Sequence, residues 1–274
     1  MTKNEKTILV AWDFSEYAKH ALSHALFYSA QTGFDVYLLH IVKNESLVEE
    51  SQVALQKSAM EIWEQEGEKV QTIVKVNNLS DGFKEAAQEL NSLMIFSGIS
   101  GFKGQQPFIG PYVMNAITGS IIPYVVVQQG KLNTDQLTLI CPIDQKRQSK
   151  EHLAWVQELS NICNPKIYLV YPDYNFSHKK QLVKSNLSFS CNYLKRFGIA
   201  YEEEKLSCHK FKLNMLNFAK ETQADLILNV TENESKLINL FYKSNNYKLI
   251  ANDKQIPVMS IRPQEGLWKY GKFY

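Results

Sequence analysis

Thr7-Ile8-Leu9-Val10-Ala11-Trp12-Asp13 and Thr138-Leu139-Ile140-Cys141-Pro142-Ile143-Asp144 are two versions of one segment, an apolar run that ends on an aspartate. At a similar offset, Val36-Tyr37-Leu38-Leu39-His40 matches Ile167-Tyr168-Leu169-Val170-Tyr171, and Leu93-Met94-Ile95-Phe96 matches Leu226-Ile227-Leu228. Ile122-Pro123-Tyr124-Val125-Val126-Val127 matches Ile256-Pro257-Val258-Met259-Ser260-Ile261. Self-similarity kept in order over half a chain marks a tandem duplication. The polar stretch Gln129-Gly130-Lys131-Leu132-Asn133-Thr134 joins the copies. The expected division is a first domain over 1–130, a degenerate second domain over 136–263 and an aromatic tail over 264–274.

Within each copy, short apolar runs alternate with helical patterns, the mark of βαβ units and a parallel sheet. The runs lack polar alternation, which suits strands covered on both faces. Strands are expected at 7–12, 36–41, 71–76, 93–97 and 123–128, then at 137–142, 166–171, 200–205, 225–229 and 257–261. The first helix has Ser15 as N-cap, the stripe Ala18, Ala21, Leu22, Ala25, Leu26 and Ser29, and Gly33 past its end. Further helices are expected around Glu49–Glu66, Asp81–Leu90 and Tyr112–Thr118.

With 274 residues, 45% hydrophobic and 21% charged, the chain is neither disordered nor a membrane protein. A net charge of +2 with both signs interspersed does not point to nucleic acid. No apolar run approaches the roughly 18 residues that span a bilayer. The polar start Met1-Thr2-Lys3-Asn4-Glu5-Lys6 has no signal-peptide pattern, and Cys141, Cys163, Cys191 and Cys208 form no CxxC pair. A cytoplasmic protein with reduced thiols is expected.

Chemistry gathers at Gly98-Ile99-Ser100-Gly101, directly after Leu93-Met94-Ile95-Phe96. Glycines at the carboxyl end of a strand let backbone approach a bulky group, most often a phosphate. The segment Gly110-Pro111-Tyr112 follows.

Together these residues resemble the universal stress protein family. Val10-Ala11-Trp12-Asp13-Phe14-Ser15-Glu16 looks like its opening strand and turn, and Leu38-Leu39-His40-Ile41-Val42 like its second strand. The glycine segments and Ile122–Val127 resemble its glycine loop and last strand. The resemblance covers residues 5–130 and, more weakly, 136–263. It implies an α/β fold of the adenine nucleotide alpha hydrolase-like kind: two tandem doubly wound, five-stranded parallel sheets of order 3-2-1-4-5, paired through their last strands. In that order the strand direction of travel reverses between strands one and four, so Asp13 and Gly98 converge on one crevice.

The resemblance further implies that the aspartate and the glycines contact ATP or a related adenine nucleotide. The expected ligand-binding set is Asp13, His40, Val42, Gly98, Gly101, Gly110 and Tyr112, with Tyr112 either stacking on a base or simply packing, and no metal site is identified. Eight residues separate Gly101 from Gly110, one fewer than the family's spacing, and Pro111 replaces a hydroxyl residue. Proline removes that hydroxyl and a backbone N–H, each worth roughly 1.5–3 kcal/mol in a charge-assisted bond. The second copy's Val230-Thr231-Glu232-Asn233-Glu234-Ser235-Lys236 lacks glycine and adds carboxylates. The expected function is a stress-response sensor binding nucleotide in the first half, with little or no turnover. The alternative is a protein-interaction module of the same fold without nucleotide. Weak ATP hydrolysis ranks third, since no base or metal site is evident. Expected partners are a nucleotide, the other half of the chain, and a second copy or a protein; no nucleic acid or membrane is expected.

Asp13 can contact a ligand or cap the following turn. His40 can touch a base or be tolerated without a role. His20 and His24, one helical turn apart, lack a third metal ligand and are read as solvent-facing. Cys208-His209 is read as an incidental pair on a strand. The aromatic tail Gly266–Tyr274 either folds back or docks on a partner.

Overall fold

A computed structural model describes residues 6–263, apart from 101, 104–105, 108–121, 129–131, 133–135, 176–177 and 232–244. The first half runs β1 (Thr7–Ala11), α1 (Glu16–Thr32), β2 (Asp35–Val42), α2 (Val48–Glu66), β3 (Gln71–Val76), α3 (Leu79–Glu89), β4 (Ser92–Gly98) and β5 (Tyr124–Val127). The second runs β6 (Thr138–Pro142), α4 (Leu153–Cys163), β7 (Lys166–Asp173), α5 (His178–Arg196), β8 (Glu202–Ser207), α6 (Phe211–Glu221), β9 (Leu226–Val230), α7 (Asn245–Ile250) and β10 (Val258–Ile261). A two-residue ribbon, Phe102–Lys103 with Gln106–Pro107, follows β4. The expected helix at Tyr112–Thr118 and the aromatic tail lie outside the described residues.

All ten strands form one sheet of order β8-β7-β6-β9-β10-β5-β4-β1-β2-β3. Neighbours within each half are parallel, and the halves meet through antiparallel β5 and β10, with Val126 opposite Val258 and Val125 opposite Met259. Each half has the expected order 3-2-1-4-5, and pairing through the last strands makes the two five-stranded units one continuous sheet. The reason lies in β5 and β10, which are wholly buried and carry Tyr124-Val125-Val126-Val127 and Val258-Met259-Ser260-Ile261. Left as edges, these short apolar strands would expose unpaired backbone N–H and C=O groups, so each uses the other as its partner.

Side chains of successive strand residues point to opposite faces, and both faces are covered. Ile8, Val10, Met94, Phe96, Leu139, Cys141, Leu228 and Met259 pack under α1, α2, α4 and α5. Leu9, Ile95, Val126, Ile140, Ile227 and Val258 pack under α3, α6 and α7. The helix limits follow their caps. Ser15 Oγ accepts from Ala18 N at 3.3 Å to start α1, and Gly33 ends it at φ 70°.

His24 corrects a sequence expectation. It is 3% exposed instead of facing solvent, because α1 packs beside α4 once the halves share a sheet. It lines a cleft of about 270 Å³ with Lys220, Gln223, Asp225, Lys254 and Gln255 of the second half. Cys208 and His209 lie in the turn after β8, not on the strand, and Cys208 is exposed. All four cysteines are free thiols.

His152, just before α4, is fully buried, and neither ring nitrogen makes a well-formed hydrogen bond among the described residues. Burial pushes its imidazole from 6.5 down to about 4, the Ser149 backbone opposing. Above pH 6.5 the ring is neutral in both folded and unfolded chains. Between 6.5 and 4 only the unfolded chain takes up the proton, so stability falls as pH falls. Urea unfolding is expected to lose about 3 kcal/mol from this group between pH 7 and pH 4. A His152→Phe variant that kept the whole of that slope would assign it elsewhere.

Candidate functional site

The crevice sits where the order of the sheet reverses, beyond the carboxyl ends of β1 and β4, with β2 beside β1. It is built from the turn Trp12-Asp13-Phe14-Ser15. Trp12 N–H donates to Leu39 C=O at 2.9 Å, carrying the sheet one residue past β1. Asp13, exposed, accepts at Oδ1 from Ser15 N–H at 3.0 Å and from Ser15 Oγ–H at 2.6 Å. The aspartate therefore caps the turn with one oxygen, and among the described residues its second carboxylate oxygen is given no donor.

Phe14 holds the turn in the left-handed region at φ 63°, a conformation that costs a non-glycine residue energy. Its ring is 42% exposed and lies against His40, centroids 4.9 Å apart and planes tilted by 57°. His40 Nδ1 lies 2.7 Å from the Trp12 carbonyl, an acceptor only, so Nδ1 carries the proton. In the tautomer so set, Nε2 is the acceptor. Val42 is buried at the end of β2. Asp13, His40 and Val42 thus cluster at the ends of β1 and β2, and Phe14 joins them. Sequence reasoning passed over Phe14; its signal was an aromatic residue between Asp and Ser in a strand-to-helix turn.

Gly98 does different work from that expected of a phosphate loop. A Cβ on it would stand 1.9 Å from the Tyr17 carbonyl oxygen and 2.7 Å from Ala18 N. The first turn of α1 lies directly on the end of β4, the close helix–strand approach that only glycine permits. The next backbone N–H, on Ile99, donates to Val127 C=O at 2.9 Å. Gly98 and Ile99 are therefore committed to packing and strand pairing. Gly101, Gly110 and Tyr112 lie outside the described residues.

The second half repeats the turn with other chemistry. Asp144 Oδ1 accepts from Lys146 N–H at 2.7 Å, and Ile143 N–H donates to Val170 C=O at 2.8 Å. Asn186 of α5 donates to the carbonyls of Asp144 and Lys146 at 2.8 and 2.9 Å, bracing the turn from the helix side. Burial raises the Asp144 carboxyl, with the Lys146 backbone N–H and the Lys146 and Lys212 charges opposing. Where the first half has His40 and Phe14, this half has Tyr171 and Gln145. Among the described residues no group of three or more His, Cys, Asp or Glu is placed to hold a metal ion, and no helix is long and apolar enough to cross a membrane.

An open, doubly wound α/β half with an aspartate-capped turn at its switch point, repeated once across an antiparallel seam, defines the class. Residues 5–128, the first half of the chain, match the model of the Universal stress protein family. No curated protein matches the sequence. A universal stress protein from Archaeoglobus fulgidus DSM 4304 is similar over 96% of this chain and 100% of its own, at 13% identity and a TM-score of 0.73. A functionally unknown protein from Pseudomonas aeruginosa PAO1 is similar over 94% of this chain and 93% of its own, at 14% identity and a TM-score of 0.64. Both likenesses span the two halves and concern the fold.

Gly98→Ala is expected to cost more than about 4 kcal/mol or to prevent folding, because the obstacle is backbone and cannot rotate away. Gly33→Ala, with nothing within 4 Å but a φ of 70°, is expected to cost about 1 kcal/mol. Urea denaturation of both variants measures the contrast, and equal small losses would refute the packing role of Gly98.

Proposed function

We propose that this protein is a stress-response ligand sensor whose first half receives an adenine nucleotide in the crevice beside Asp13, and whose second half binds none. The carrying observation is the pair Phe14 and His40, with the histidine tautomer set by the Trp12 carbonyl. An exposed aromatic face suits stacking on a base, and an imidazole Nε2 acceptor suits an exocyclic amine. The second oxygen of Asp13 suits a ribose hydroxyl. These groups recognise the nucleoside end.

The phosphate end receives less. Gly98 and Ile99 are committed elsewhere, and Pro111 lacks both the hydroxyl and the N–H that the family's loop offers. Binding driven by the nucleoside is the consequence, with the triphosphate adding little. The bound state would be passed on to a partner rather than consumed by turnover. A cytoplasmic setting and the division into domains 1–130 and 136–263 are part of this reading. The same missing donors favour a second reading, an interaction module of this fold without nucleotide.

Titration calorimetry separates them. ATP and AMP are expected to bind with dissociation constants within about tenfold of one another, a difference under about 1.4 kcal/mol. Asp13→Ala is expected to weaken both by about tenfold or more, and Asp144→Ala to leave both unchanged. No binding heat and no thermal shift at millimolar nucleotide would establish the second reading instead.

A further inference from the structure

The four helices on the α1 face of the sheet end in two that differ sharply in charge. Helix α2 covers β2 and β3 at one end of the sheet, and α5 covers β7 at the other. They follow the second strand of their respective halves and are counterparts in the duplication. Helix α2 carries Glu49, Glu50, Glu61, Glu64 and Glu66 against one cation, Lys57. Helix α5 carries Lys179, Lys180, Lys184, Lys195 and Arg196 and no carboxylate. The contrast extends to whole halves: residues 1–130 hold nine Lys and Arg against 14 Asp and Glu, the remainder 21 against 14. A net +2 therefore divides into −5 and +7.

Each of these helices also turns apolar side chains outward. On α2 the inner stripe is Leu55 and Ile62, yet Val53 and Met60 are each 63% exposed and Trp63 is 57% exposed. On α5, Leu182 and Phe189 are 37% and 44% exposed, and Phe197 just beyond its end is 45% exposed. Cations already sit on the two phenylalanines, Lys150 over Phe189 at 4.5 Å and Arg196 over Phe197 at 5.9 Å. Val53 and Met60 are seven residues apart, as are Leu182 and Phe189, about 10 Å along a helix in both cases. The ionic groups match as well. Glutamates stand at both ends of α2, outside the Val53–Met60 pair, and cations stand at both ends of α5, outside Leu182–Phe189.

We propose that the outer face of α2 docks on the outer face of α5 of a second copy of this chain. Val53 and Met60 pack on Leu182 and Phe189, and the glutamates at each end of α2 meet the cations at each end of α5. Two helices packed by a seven-residue apolar spacing and flanked by opposite charges is the pairing logic of a short coiled coil. Each copy offers both faces, at opposite ends of its sheet, so one contact leaves a free α2 and a free α5 to form a second. The proposal concerns the outer faces of α2 and α5, uses none of the residues of the Asp13 crevice and does not depend on nucleotide binding.

Sedimentation velocity on the full chain tests it. At about 50 mM NaCl the protein is expected to sediment as a dimer or larger, and at about 500 mM NaCl to lose that association as charge is screened. The triple variant Lys179→Glu, Lys180→Glu, Lys184→Glu is expected to abolish self-association. So is the triple variant Glu61→Lys, Glu64→Lys, Glu66→Lys. An equimolar mixture of the two variants is expected to associate, since each then offers the complement of the other. Circular dichroism confirms that each variant is folded, these being exposed positions. A protein that stays monomeric at about 100 μM in low salt overturns the proposal, as does association unmoved by salt and by either triple variant. Two variants that fail to associate when mixed also overturn it.

Discussion

The antiparallel pairing of Tyr124–Val127 with Val258–Ile261 is the contact on which the rest of this molecule depends. Each strand would otherwise end its own five-stranded unit as an apolar edge with an unsatisfied row of backbone groups. Paired, they turn two repeats into one ten-stranded sheet and bring α1 beside α4. The seam is reinforced where Gln128 Nε2 donates to the Ile250 carbonyl at 3.2 Å and Lys6 meets Glu158 at 3.3 Å. It also sets the ends of the sheet, and so carries the acidic α2 and the basic α5 towards opposite ends.

Duplication preserved backbone geometry more faithfully than chemistry. Asp13 and Asp144 each accept an N–H two residues on, and Trp12 and Ile143 each extend the sheet past the strand. Around that common frame the side chains diverged. Helix α1 starts three residues past Asp13, close enough to β4 to require Gly98. Helix α4 starts nine residues past Asp144, after a short 3-10 turn, and β9 carries Val230 at the matching place. The later start removes the need for glycine there. The loss of glycine in the second half is thus a packing change as well as a change in what the crevice can hold.

Most elements were legible because their signals are local. Helix α2 begins one residue before the expected Glu49, and β3 spans the expected 71–76, each set by an apolar period and by a turn residue such as Gly67. The capping roles of Ser15 and Gly33 were legible for the same reason. The candidate site was legible only in part. Asp13 and His40 stand out by type at strand ends, but Phe14 gains its role from a backbone φ of 63° and a ring brought beside it by β2. Gly98 was legible as a glycine with a purpose. Which purpose depended on the carbonyl of Tyr17, a residue distant in sequence.

By itself, then, the sequence determined the alternation of strands and helices and the duplication, because periodicity and repetition are properties of the chain alone. The tertiary structure decided what no periodicity encodes: that His24 is inside, that Gly98 serves a helix, and that two oppositely charged helix faces point outward. Each of these depends on atoms from separate segments meeting at a few ångströms, and such distances exist only once the edges have paired and the helices have closed over the sheet.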